Sequence, residues 1–133
     1  MGLRILLVED DPNIRMIAKT SLTFGNDFEV DEAEDGGKAL EILRQSPDRY
    51  DMVLMDVMMP NVDGLEALTR IKNDPALKHI PVVMLTAMAQ KADIEKSIAL
   101  GADGYIEKPF DPVELPKTVM SIYRRIQSER ANG

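Results

Sequence analysis

Five short apolar runs, each followed by a longer amphipathic stretch, constrain this chain more than any other feature. The runs are Ile5–Val8, Phe28–Ala33, Met52–Met55, Val82–Leu85 and Tyr105–Ile106. Four of them are short and rich in Val, Ile, Leu or Met, as strands covered on both faces must be. Phe28–Ala33 alternates more (FEVDEA), which places it nearer a sheet edge. The intervening stretches read as helices. Ile14, Ile17, Ala18 and Leu22 share one face of the first; Ala39, Leu40 and Leu43 mark the second. Leu65, Leu68 and Ile71 mark the third, where Asp63 and Glu66 form a capping box. Ala87 to Leu100 has the weakest pattern, with Ile94 and Ile98 as its stripe. Leu115, Val119, Ile122 and Ile126 mark the last helix, with Asp111 as its cap, Pro112 in its first turn and Glu114 completing a second capping box. Pro116 removes a backbone donor there, so the last helix is expected to be locally distorted or to start late.

Alternating strand and helix specifies an α/β fold: a five-stranded parallel sheet, doubly wound, with helices on both faces and right-handed crossovers. With 133 residues the chain is long enough for one core. One domain is expected over residues 1–127, followed by a polar, frayed tail or linker stub over 128–133. There is no cysteine, so disulfides, thiolate metal sites and thiol nucleophiles are excluded. No apolar stretch is long enough to span a membrane, and the first residues show neither a signal-peptide nor a myristoylation pattern. A cytoplasmic location is the expectation. The formal net charge of -7 repels phosphate backbones and argues against direct nucleic-acid binding by the domain. It suits a cation site, although acidity alone also serves solubility.

In open parallel sheets ligands bind beyond the carboxyl ends of the strands. Here the first strand ends in Glu9-Asp10-Asp11, the third in Asp56 and the fourth in Thr86; the fifth is followed by Lys108-Pro109. Carboxylates, a hydroxyl and an ammonium thus converge on one rim. Clustered carboxylates repel one another unless a cation intervenes, and an all-oxygen set suits magnesium first. An Asp beside such a metal can act as nucleophile toward a phosphoryl group, with Lys108 and Thr86 offsetting or accepting its charge. The plainer reading of each residue is structural, since Asp caps helices after strands and Lys108 can serve a surface ion pair. It is the combination at four strand ends that points to chemistry. No Walker loop, dinucleotide fingerprint or nucleophile elbow is present. The lone histidine, His79, fits a surface or structural role in the approach to the fourth strand. Without a nucleotide cradle, the phosphoryl donor has to be another protein or a small phosphorylated compound.

The stretches ILLVEDDPNIR (5–15), DMVLMDVMMPNVDGLEAL (51–68), IPVVMLTAMA (80–89) and GADGYIEKPFDPVEL (101–115) resemble the response-regulator receiver family of two-component signalling. The resemblance runs from Arg4 to about Arg125. It implies a flavodoxin-like (βα)5 fold with strand order 2-1-3-4-5. It also implies that Asp56 accepts a phosphoryl group from a histidine kinase or histidine phosphotransfer protein. Glu9 and Asp10 would bind Mg2+ with Asp56 and the Met58 backbone carbonyl, Asp10 directly and Glu9 through water. Thr86 and Lys108 would contact the phosphoryl group, Thr86 and Tyr105 would form the switch, and the bond before Pro109 would be cis. From the residues alone, the favoured reading of Tyr105 is half-buried packing against a helix.

Met58 and Met88, two residues beyond Asp56 and Thr86, are bulky and apolar. They are expected to hinder the attacking water and prolong the phosphorylated state. The implied output is a downstream protein target or an attached output domain, with a phosphorylation-dependent homodimer as one mode that Pro116 puts in question. A separate class, a small Mg2+-dependent phosphatase working through an aspartyl-phosphate, lacks a strand-end histidine and loops long enough for a lid.

Overall fold

The computed structural model describes residues 2–24, 28–59, 63–87 and 91–132, with the Asp93 side chain excepted. Strands and helices alternate as β1 (Arg4–Val8), α1 (Pro12–Thr23), β2 (Glu29–Ala33), α2 (Gly36–Gln45), β3 (Met52–Asp56), α3 (Gly64–Lys72), β4 (Val82–Ala87), α4 (Lys91–Ala99), β5 (Gly104–Lys108) and α5 (Leu115–Asn132). The strands form one parallel sheet in the order β2-β1-β3-β4-β5. The alternating FEVDEA run is an edge strand, as its pattern requires.

Successive side chains of a strand point to opposite faces, and the two halves of the core follow that rule. On one face Leu6, Val8, Val53, Met55, Val82 and Met84 pack with α2 and α3. On the other Ile5, Leu7, Leu54, Val83, Leu85 and Ile106 pack with α1 and α5. Ile5 to Val8 and Met52 to Met55 are wholly excluded from solvent, which explains why these strands read as unbroken apolar runs. The rim of carboxyl ends therefore stands on a rigid platform.

Aspartates cap α1, α2 and α3. Asp11 accepts from the Asn13 and Ile14 N–H groups ahead of Pro12, and Asp35 accepts from Lys38 N–H. Asp63 accepts from Glu66 N–H at 2.8 Å, but the Glu66 carboxylate turns to Arg70 at 2.5 Å, so the box at α3 is made on one side. At the last helix the expected capping box is absent: Asp111 accepts from Val113 N–H at 2.8 Å in a turn before α5, and Glu114 faces Lys117 at 3.9 Å.

Pro116 acts by delaying α5. The helix begins at Leu115, so Pro116 lies in a first turn where no N–H is needed. The Pro112 carbonyl, four residues back, instead accepts from the Ser21 hydroxyl of α1. The missing donor becomes a tie between two helices. Residues 128–132, expected to fray, continue α5 to Asn132.

Two apolar stripes depart from expectation. Ile17 of α1 is exposed while Ala18 and Leu22 are buried. In α4 Ile98 is 56% exposed and Ser97 is the buried residue. β4 continues through Ala87, and α4 is described over Lys91–Ala99.

Candidate functional site

The site is assembled by strand register. Val8 pairs with Met55, Asp56 with Leu85, Thr86 with Glu107 and Ala87 with Lys108. Glu9, Asp10, Asp56, Thr86 and Lys108 therefore reach one rim, although Glu9 and Lys108 are 99 positions apart. One oxygen from each of Glu9, Asp10 and Asp56 lies within 4.8 Å of the others.

Most of this polar group is buried. Glu9 is 1% exposed, Thr86 2% and Asp56 6%; Asp10 lies at the open side. Lys108 Nζ donates to Glu9 Oε1 at 2.7 Å and lies 3.0 Å from Asp56 Oδ2. One ammonium thus faces three carboxylates, leaving an excess of negative charge. Burial pushes the Glu9 carboxyl above its ordinary range; the nearby Asp56 charge adds to this, while Lys108 and the Asp11 N–H oppose it. Asp10 is raised as well, by its residual desolvation and then by Glu9 beside it. Burial on its own would lower Lys108, but its contacts with Glu9 and Asp56 outweigh that and raise it. These are the properties of a group with room for a further hard cation: all-oxygen donors, raised acids and incomplete compensation.

The other contacts fix the acidic residues in place. Glu9 Oε2 accepts from Asp11 N–H at 3.2 Å, and Asp56 Oδ1 from Met58 N–H at 3.4 Å. Thr86 Oγ1 is the one buried side-chain polar atom without a hydrogen-bond partner among the described residues. A buried hydroxyl left unpaired at a strand end costs stability and is poised for an incoming acceptor. The Lys108–Pro109 bond is cis. Tyr105 is 42% exposed on β5, beside Ile98 and Ile122, and the Met58 side chain is 66% exposed. Met88 lies outside the described residues.

Two positioning residues escaped the sequence reading. Gly64 opens α3 so close to the end of β3 that a Cβ there would sit 2.0 Å from the Asp56 carbonyl oxygen, and its N–H donates to the Val57 carbonyl at 3.0 Å. The Asp63-Gly64 pair at the start of an apolar helical stripe was the available signal. The second is Arg15, which donates to the Glu9 carbonyl at 2.7 Å.

Comparison with known proteins agrees with this geometry. The family model described as the response regulator receiver domain matches residues 5–120. The transcriptional activator protein IrlR of Burkholderia pseudomallei is 40% identical over 129 residues, covering 97% of this chain and 54% of that protein. The transcriptional regulatory protein SrrA of Staphylococcus aureus is 35% identical, covering 96% of this chain and 51% of its own length. The chain thus spans about half the length of the curated relatives it matches. Among solved structures, the chemotaxis response regulator CheY4 of Vibrio cholerae superimposes with a TM-score of 0.82 at 30% identity, covering 92% of this chain and 99% of that one. The chain belongs to the response regulator receiver family of two-component signal transduction, whose members are phospho-acceptor switches rather than enzymes in the ordinary sense.

Proposed function

We propose that Asp56 is the phospho-acceptor, and that Glu9, Asp10, Asp56 and the Met58 carbonyl hold Mg2+ beside it. The observation that carries this reading is the Asp56 carboxylate, buried at the rim, 3.0 Å from Lys108 Nζ and within reach of two further acids. One Asp56 carboxylate oxygen attacks the phosphorus of a phosphohistidine or acyl phosphate; the bond to the donor nitrogen or oxygen breaks, and an acyl phosphate forms on Asp56. Bound magnesium offsets charge on the transferring oxygens. Lys108 neutralises more of that charge, and the unpaired Thr86 hydroxyl donates to a phosphoryl oxygen.

The product carries more charge than a carboxylate and three acceptor oxygens. Thr86 is drawn toward it, and Tyr105, half-exposed beside Ile98 and Ile122, packs inward into the space released. The face formed by α4, β5 and α5 then changes shape, which shifts the balance between two conformations. Met58 and Met88 give water no hydrogen-bonding help and lengthen the phosphorylated state.

The donor is a histidine kinase or histidine phosphotransfer protein. An apolar cavity of about 330 Å³, lined by Ile14, Ile17, Pro109, Phe110 and Pro112, opens beside Lys108 and offers such a protein a foothold. The receiver works in the cytoplasm; no described helix is long and apolar enough to cross a membrane. Its output is a downstream protein or an output domain in the same polypeptide. The transcriptional roles in the names of IrlR and SrrA favour the latter.

Intact-mass spectrometry with magnesium and acetyl phosphate tests the reading. One added phosphoryl group, lost in Asp56→Asn, supports it; an equal adduct on that variant overturns it.

A further inference from the structure

Both polar groups of the Glu9 backbone are hydrogen-bonded. Its N–H donates to the Ala33 carbonyl of β2 at 3.1 Å, and its carbonyl accepts from Arg15 Nη1 at 2.7 Å. Arg15 stands in the second turn of α1, and its Nε lies 3.5 Å from Glu32 Oε1 on β2. The guanidinium thus bridges Glu32 and the peptide that links Glu9 to Asp10. Its side chain is 22% exposed, so the contact is largely shielded from water.

We infer that Arg15 is a positioning residue for the metal site, holding the Glu9 main chain so that the Glu9 and Asp10 carboxylates stay gathered against their mutual repulsion. This rests on the magnesium reading of the acidic cluster. Carboxylates gathered within 4.8 Å of one another push apart, and the strand alone ends at Val8. A planar, permanently charged donor on a packed helix resists that spreading at a fixed distance. Partners that orient ligands from behind are commonly worth about 10-fold in metal affinity.

The sign of the effect separates positioning from simple charge. Arg15 is a cation near a cation site, so its charge alone disfavours magnesium; removing it would tighten binding. Loss of positioning does the opposite.

The test is calorimetric titration of the whole chain with MgCl2, without phosphodonor, alongside thermal melts in excess EDTA. Arg15→Met keeps the aliphatic stem and removes the donors. It is expected to weaken magnesium binding about 10-fold. Arg15→Lys, which can still donate once to the Glu9 carbonyl, recovers most of the affinity. Glu32→Gln removes the ion pair but leaves the carbonyl contact, and keeps an affinity near that of the parent. It also supplies a folded comparison should Arg15→Met melt early. Unchanged or tighter binding by Arg15→Met, or an Arg15→Lys variant as weak as Arg15→Met, overturns the inference while the magnesium reading stands. Absence of magnesium binding by the parent protein, or binding that survives Asp10→Asn, overturns both.

Discussion

Lys108 Nζ lies 2.7 Å from Glu9 Oε1, a carboxylate almost wholly withdrawn from water. This pair closes the rim from the fifth strand to the first, and its loss has a calculable sign. Lys108→Met leaves Glu9 buried without its cation, a change that costs about 3 kcal/mol at neutral pH. The Glu9 carboxyl is already pushed up by burial, and without Lys108 it rises further. A group whose folded value is raised favours folding in its protonated form, so the deficit shrinks as the pH falls toward 5 and grows above it. Urea unfolding at both pH values measures this; an equal deficit at each contradicts it.

The acidic pair itself is a strain on the metal-free fold. Asp10 is raised above its ordinary value, so its ionised form at neutral pH opposes folding. Asp10→Asn is expected to raise the melting temperature in EDTA by a few degrees. The same change abolishes most of the stabilisation that added MgCl2 gives the parent. A lower melting temperature in EDTA would show that the Asp10 charge is compensated in the folded state.

Gly64 governs how closely α3 approaches the site. A methyl group there meets the Asp56 carbonyl oxygen at 2.0 Å, and backbone cannot yield as a flexible side chain can. Gly64→Ala is expected to lose at least about 2 kcal/mol. It is also expected to slow phosphorylation by acetyl phosphate, because the β3 terminus has to move. Chemical unfolding and the rate of adduct formation check the two effects separately.

Alkaline pH reaches a different part of the sheet. The Tyr50 hydroxyl donates to Asp31 Oδ2 at 2.6 Å. Burial, and then that carboxylate, push Tyr50 up to about 12. Its contribution is fully present below the ordinary phenol value near 10 and is lost as the pH rises through about 12. Ultraviolet titration should show one late-titrating tyrosine, absent in Tyr50→Phe, and that variant should be about 1 kcal/mol less stable at neutral pH. A late component that survives in Tyr50→Phe would contradict the assignment.

What was legible in the sequence followed burial. Ile5–Val8, Met52–Met55 and Val82–Leu85 of β1, β3 and β4 are sealed on both faces, so these runs had to be apolar without interruption, and the strand termini could be read to within two residues. Strand ends then exposed the chemistry, since Glu9, Asp10, Asp56, Thr86 and Lys108 are polar where apolar runs stop. α4 was read poorly because Ser97 is buried while Ile98 is exposed, and one small buried polar residue leaves no periodic trace. Pro116 signalled a late helix, but its carbonyl debt to Ser21 depends on a neighbour 91 positions from Pro112. Arg15 was illegible for a related reason: its partner is a main-chain oxygen, which every residue carries.

The acyl phosphate proposed for Asp56 can be located chemically. Borohydride reduction of the protein after treatment with magnesium and acetyl phosphate converts a phosphorylated aspartate to homoserine, which peptide mass mapping locates. Homoserine at position 56 alone is the predicted result. Homoserine at Asp10 or Asp11, with Asp56 intact, would contradict the account.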